Sequence, residues 1–106
     1  GFSWNQASPR ITKRGRDSEV LTGETAYYIL KVHNPTGLPL ELVEIEDRLN
    51  PLLIPFTNRV SAFPRRELEL EFKNQILKIN VAGGMHPHSV ITLTVPCRVR
   101  AQPPQP

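Results

Sequence analysis

Residues 21–51 read LTGETAYYILKVHNPTGLPLELVEIEDRLNP, and this stretch decides the fold of the chain. Apolar and other side chains alternate over residues 26–34, as in a strand that buries one face. The face predicted to be buried carries Ala26, Tyr28, Leu30 and Val32. Residues 34–37, Asn-Pro-Thr-Gly, are typical of a turn, and residues 40–47 are predicted as the next strand, with a bulge near Leu42-Val43 where the alternation changes parity. The stretch therefore predicts the opening hairpin of an immunoglobulin-like β-sandwich.

Alternation recurs along the rest of the chain, and its 11 prolines argue against long helices. Further strands are predicted over residues 9–13, 67–73, 77–81 and 89–101. Pro96 lies in the last of these strands and has no N–H, which predicts a sheet edge or a bulge there. Residues 50–64 and 82–88 are predicted as loops. The predicted fold class is all-β, an immunoglobulin-like sandwich of about seven antiparallel strands.

The pattern divides the 106 residues into three parts. Residues 1–8 form a lead-in segment, and residues 9–101 form one immunoglobulin-like sandwich domain. Residues 102–106 read QPPQP, which is typical of a semi-rigid, proline-rich linker. A single domain of this size can bury a core without covalent staples.

Composition limits the classes of partner. The formal net charge is +3, but the basic residues are not interleaved with aromatic ones, so no specific nucleic-acid partner is predicted. Cys97 is the single cysteine, so no intrachain disulfide can form. No apolar run approaches the roughly 20 residues that span a bilayer, and no transmembrane segment is predicted.

Several short motifs, taken in order, carry a resemblance to a known family. They are Thr22-Gly23-Glu24, Tyr28-x-Leu30-x-Val32-x-Asn34, Gly37 and Val43-x-Ile45-x-Asp47-x-Leu49, followed later by HPHSVITLT at residues 86–94. With these motifs the chain resembles the conserved repeat domain of unknown function found in bacterial and archaeal surface and adhesin proteins. It departs from that pattern where Gly23 follows Thr rather than Pro. The resemblance implies an immunoglobulin-like sandwich, repeated in stalks, adhesins and envelope proteins, usually without catalytic activity.

The same motifs name the residues expected to shape the hairpin. These are Gly23, Tyr28, Asn34, Gly37 and Asp47. Asn34 and Asp47 each close a strand, and their side-chain oxygens can accept a hydrogen bond from the backbone N–H two residues on. We expect both residues to have a structural role of this kind.

Metal binding is the first alternative to a structural role. Glu46 and Asp47 could contribute to a calcium site, but alternation places them on opposite faces of their strand. His86 and His88 flank Pro87 and could ligate zinc or copper, but a third ligand would have to be His33, which no spacing places nearby. No metal or cofactor is therefore predicted.

Covalent chemistry is the second alternative. Lys13 could form an internal amide crosslink to an inward-facing Asn or Asp, but Asp47 is the only acid predicted to face inward, so the pattern does not favour it. Cys97 is predicted to face the core and to behave as a small apolar residue rather than a nucleophile. No pattern of nucleophile, base and acid suggests catalysis, and the chain is predicted not to be an enzyme.

The sequence thus predicts a structural or adhesive module of a larger surface or exported protein, located extracellularly, at the cell surface or in the periplasm. Its expected partners are neighbouring domains of the same chain. Two alternatives stay open: an accessory domain of a multidomain enzyme, and a module that recognises a protein or glycan through residues 50–64 and 82–88. The recognition residues would be Phe56, Phe63, Met85, His86 and His88.

Overall fold

The computed structural model describes residues 10–15 and 23–101, which form eight strands and one 3-10 turn. The predicted lead-in (1–8) and linker (102–106) lie outside the described residues. In chain order the elements are β1 (Arg10–Gly15), β2 (Thr25–His33), β3 (Val43–Arg48), β4 (Leu53–Pro55), the 3-10 turn (Thr57–Arg59), β5 (Ser61–Phe63), β6 (Leu68–Lys73), β7 (Ile76–Val81) and β8 (Val90–Val99).

The strands form two antiparallel sheets that pack on each other. The five-stranded sheet has the order β1-β2-β8-β4, with β5 also paired to β8, and the three-stranded sheet has the order β3-β7-β6. The predicted all-β sandwich is confirmed. Its immunoglobulin-like connectivity is not, because the last strand, β8, lies beside β2, where an immunoglobulin domain has its fifth strand.

The core lies between the sheets and follows the predicted alternation. In β2, Tyr28, Leu30 and Val32 are buried, and β7 and β8 contribute the other central rows of buried side chains. The fully buried apolar residues of β7 and β8 include Leu77, Ile79, Ile91, Leu93, Val95 and Cys97. Each large apolar side chain buried in this way contributes about 1.5–3 kcal/mol of hydrophobic stabilisation.

The described part of the 21–51 stretch, residues 23–51, does not form the predicted hairpin. Their two strands are real, but β2 pairs with β1 and β8, whereas β3 pairs with β7 in the other sheet. Between them Leu40 forms an isolated bridge to Met85, and the chain crosses from one sheet to the other. Alternation defines which face of a strand is buried, but it does not define the pairing partner, so the hairpin prediction was wrong.

Residues 50–64 are not a loop either, since they contain β4, the 3-10 turn and β5, which flank β8. Pro96 lies in this central strand, not at an edge. The Pro96 carbonyl accepts a hydrogen bond from the Phe56 N–H at 2.9 Å, on the side where the 3-10 turn separates β4 from β5. In an antiparallel strand the N and C=O of one residue point the same way, so the missing N–H of Pro96 faces this interruption.

The β6–β7 hairpin agrees with its prediction. Leu68, Leu70 and Phe72 of β6 face inward, and the glutamates between them face outward. Asn74 and Gln75 form a two-residue turn with φ of 52° and 65°, the positive values that suit the twist of paired strands. None of the elements described here is a helix that could span a bilayer.

Candidate functional site

Lys13 of β1 and Asp47 of β3 form a charged pair that links the two sheets. Both strands are sheet edges, and both side chains face inward, because Lys13 pairs in register with Leu30 and Asp47 with Leu77. Lys13 Nζ lies 2.9 Å from Asp47 Oδ1 and 4.7 Å from the centroid of the Tyr28 ring. We call Lys13, Tyr28 and Asp47 the inter-sheet clasp.

The clasp is only partly open to water. The Asp47 side chain is 13% exposed and that of Lys13 is 39% exposed. The Tyr28 hydroxyl and Asp47 Oδ2 are buried with no hydrogen-bond partner in the described part of the chain. Burial, and then the negative charge of Asp47, raise the pKa of Tyr28, so its phenol stays neutral at physiological pH.

Cys97 lies close enough to sense the charges of Lys13 and Asp47. Burial raises the pKa of the Cys97 thiol to about 11, although the charge of Lys13 acts in the opposite direction. A thiol with this pKa is protonated at neutral pH and does not supply a thiolate nucleophile. Cys97 is fully buried, as the alternation predicted.

The structure therefore brings together the two residues that an internal crosslink at Lys13 would join. Their contact is an ion pair across the gap between the sheets. Inward-pointing charges on edge strands also discourage pairing with other chains, since a new strand would have to bury them. The clasp thus serves both to join the sheets and to protect two edges.

Asn34 makes the predicted local hydrogen bond and three others. Its Oδ1 accepts hydrogen bonds from the Thr36 N–H at 3.1 Å and the Thr36 hydroxyl at 2.9 Å. Its Nδ2 donates to the carbonyls of Leu38 at 2.8 Å and His86 at 3.1 Å. The fully buried Asn34 thereby fastens the turn after β2 to the 82–88 segment.

The expectation for Asp47 was wrong in its detail. Its carboxylate binds Lys13, and the Leu49 N–H donates instead to the Gln75 carbonyl at 2.9 Å. The local turn is made by Asn50, whose Oδ1 accepts from the Leu52 N–H at 2.9 Å. A charged partner in the other sheet outcompetes a local backbone contact for this carboxylate.

The other two motif residues are glycines with different surroundings. Gly23 has φ of 87°, and its N–H donates to the Val99 carbonyl at 2.9 Å, so it starts the β2–β8 ladder. Gly37 lies beside His88, whose Nε2 would be 3.8 Å from an added Cβ.

The predicted recognition residues do not form one cluster. The inclusion of Met85 was wrong, because it is 2% exposed and packs in the core, held by backbone hydrogen bonds to Leu40. Phe56 is half-buried beneath the guanidinium of Arg59. The remaining three residues, Phe63, His86 and His88, are exposed.

These three exposed residues lie towards one end of the molecule. Phe63 is 78% exposed and pairs in register with Thr92, near the start of β8. His86 and His88 precede that strand. Among the described residues, no group of three His, Cys, Asp or Glu side chains is arranged to hold a metal ion.

Sequence reasoning missed two side chains that fasten loops. Gln75 Nε2 donates to the carbonyls of Asn50 at 3.0 Å and Leu53 at 2.8 Å. Arg66 Nη1 donates to the carbonyls of Ala82 at 3.1 Å and Gly84 at 2.7 Å. Both act at long range in sequence, so no local spacing signals them.

Comparison of the chain with protein-family models, curated proteins and solved structures found no match. In the described residues, polar side chains make structural contacts. The inter-sheet clasp joins the two sheets, one asparagine joins two loops, and two further side chains bind loop carbonyls.

Proposed function

We propose that this domain is a non-catalytic structural module of a larger surface or exported protein, and that it holds neighbouring parts of that protein at a fixed spacing. The observation that carries the proposal is the direction of β1 relative to β8.

Both β1 and β8 are antiparallel to β2, so they run in the same direction. The first residue of β1, Arg10, is level with His33, which in turn is level with Val90 at the start of β8. The end of β8 lies at the opposite end of the sheet, where Val99 bonds to Gly23. The first residue of β1 and the last residue of β8 therefore lie at opposite ends of the sandwich, as a spacer requires.

The chemistry of the interior supports a structural role. The buried groups that could act as nucleophiles, Tyr28 and Cys97, are held neutral by their raised pKa values. The clasp and Asn34 use their polar atoms to join sheets and loops. The resemblance to repeat domains of bacterial and archaeal surface proteins supports the location and the repetition that we propose.

Small-angle X-ray scattering tests the spacing. Two copies joined through the native 1–8 and 102–106 segments should have close to twice the maximum dimension of a single copy. A tandem whose maximum dimension stays well below twice that of a single copy would contradict the proposal.

A recognition module is the second candidate, favoured by the exposure of Phe63. Aromatic side chains are enriched at binding interfaces, and this one stands on the outer face of the five-stranded sheet, towards the same end as His86 and His88. A glycan or protein array probed with the chain and with Phe63→Ser tests it. Binding that disappears in Phe63→Ser, but not in Phe56→Ser, would support recognition at this end.

A further inference from the structure

We infer that the domain is built to bear tension along its strands, with the β1–β2–β8 ladder loaded in shear and the inter-sheet clasp holding β1 in place. This goes beyond spacing, although it rests on the proposed function in that chain must continue at both ends. We base it on the register of the strands and on the ion pair between Lys13 and Asp47.

Tension applied through the ends of the chain reaches β1 at Arg10 and β8 at Val99. These points lie at opposite ends of the sheet, so the pull slides β1 and β8 in opposite directions past β2. The hydrogen bonds of an antiparallel ladder are perpendicular to the strands. They therefore share the load and must fail together, whereas a pull that peels two strands apart breaks them one after another.

The two ladders differ in length. All 6 residues of β1 are paired with β2, and all 9 residues of β2 are paired with β8. The shorter β1–β2 ladder is the point at which sliding should begin, and Lys13 lies within it.

The clasp resists this sliding because it connects β1 to the other sheet. A slip of one residue, about 3.4 Å, would turn Lys13 from the inner to the outer face. Asp47 would then stay behind without its partner, 13% exposed and with one oxygen already buried and unpaired. An ion pair between the sheets therefore adds resistance that the β1–β2 ladder alone does not have.

Single-molecule force spectroscopy in two pulling directions tests the shear geometry. In the first, the chain is held by its two termini. In the second, it is held at Glu24→Cys and Ala101→Cys; both positions are exposed and at one end, since the Val99 N–H bonds to the Glu24 carbonyl. Cys97 is fully buried, so the introduced thiols are the reactive ones.

We expect a terminus-to-terminus unfolding force about twofold or more above the Glu24–Ala101 force, because ladder bonds fail together rather than in sequence. Asp47→Asn should lower the terminus-to-terminus force and leave the Glu24–Ala101 force unchanged. Glu46→Gln is the matched control: it removes a 3.6 Å ion pair to Lys78 within one sheet, one residue away, and should change neither force.

Equal forces in the two directions would overturn the shear geometry. A loss of force in Asp47→Asn that is the same in both directions, or is matched by Glu46→Gln, would overturn the role of the clasp. The outcome is separable from the spacing proposal. A compact tandem in scattering with a high terminus-to-terminus force refutes spacing alone, and an extended tandem with a low force refutes load-bearing alone.

Discussion

At the scale of single residues, Asn34 is a polar side chain that lies in the core. It is the buried polar residue of the described chain, and both ends of its amide are hydrogen-bonded. Buried polar groups of this kind are retained only when every atom has a partner, because each unpaired one is costly.

Replacing Asn34 by Ala should lower the free energy of unfolding by about 2–4 kcal/mol, because the Leu38 and His86 carbonyls each lose one donor and the Thr36 N–H loses its acceptor. Urea denaturation measures the change. Asn80→Ala is the control: Asn80 is exposed in β7, and its loss should fall within about 0.5 kcal/mol. Similar losses for the two variants would contradict the role assigned to Asn34.

The buried thiol makes stability depend on alkaline pH. The pKa of Cys97 rises from 9.0 to about 11 in the folded state, so its contribution is fully present below pH 9 and is lost as the pH rises through 11. The unfolding free energy, measured from pH 8 to 11, should therefore fall more steeply for the natural chain than for Cys97→Ala. Parallel curves for the two proteins would show that the thiol ionises equally in both states.

The contacts of a residue could be predicted when its partner lies close to it in the sequence. The Oδ1 contact of Asn34 spans two residues, so a local rule found it. Lys13 and Asp47 are 34 residues apart, and only the fold shows that two inward-facing charges meet. Met85 was predicted to lie in an exposed loop, because His and Pro follow it in the sequence. Its bridge to Leu40 instead places its side chain in the core.

At the scale of elements, the 82–88 segment packs against the crossing between β2 and β3 so closely that one position excludes any side chain. Gly84 has φ of 64°, and a Cβ there would overlap the Leu40 carbonyl oxygen. The contact secures the Leu40–Met85 bridge, which closes this end of the sandwich.

Gly84→Ala should therefore be more destabilising than Gly23→Ala. At Gly23 (φ 87°) an added Cβ meets nothing within 4 Å, so only the left-handed backbone costs about 1–2 kcal/mol. At Gly84 the same strain is joined by overpacking of about 1–3 kcal/mol. Thermal and urea unfolding of the two variants give the comparison, and equal stabilities would show that Leu40 moves freely.

Elements were predictable where one strand face is plainly apolar. The alternation of β6 and of β8 gave the correct inner faces, and the Asn74-Gln75 turn joined the correct neighbours. The β2–β3 hairpin failed because both strands have an apolar face that either sheet could bury. Pro96 was predicted to mark a sheet edge or a bulge, but it lies in the central strand β8, opposite the 3-10 turn that separates β4 from β5.

At the scale of the whole molecule, two layers over one core could be predicted from composition and alternation, but the order of strands could not. Which strand lies beside β2 depends on contacts between residues as distant as Thr25 and Arg98. The spatial meeting of the clasp residues depends on that order, so it was out of reach of sequence patterns.

The proposed role predicts what surrounds the domain in its gene. Coding sequence on either side should contain further copies with the motif Tyr28-x-Leu30-x-Val32-x-Asn34 at similar spacing, because a spacer gains length by repetition. Sequencing the full locus is the measurement. A catalytic neighbour would favour the accessory-domain alternative, and a lone copy at the end of the protein would favour recognition.

The central place of β8 also governs how the domain can be made. A ribosome delivers β2, β4 and β5 well before the strand that all three must pair with. Until β8 emerges, β2 on one side and β4 and β5 on the other lack the strand with which they pair. The apolar face of the larger sheet is then incomplete and exposed. Completion of this sandwich is thus tied to the last of its own strands, and a chain that lacks β8 presents the unpaired edges from which aggregation starts.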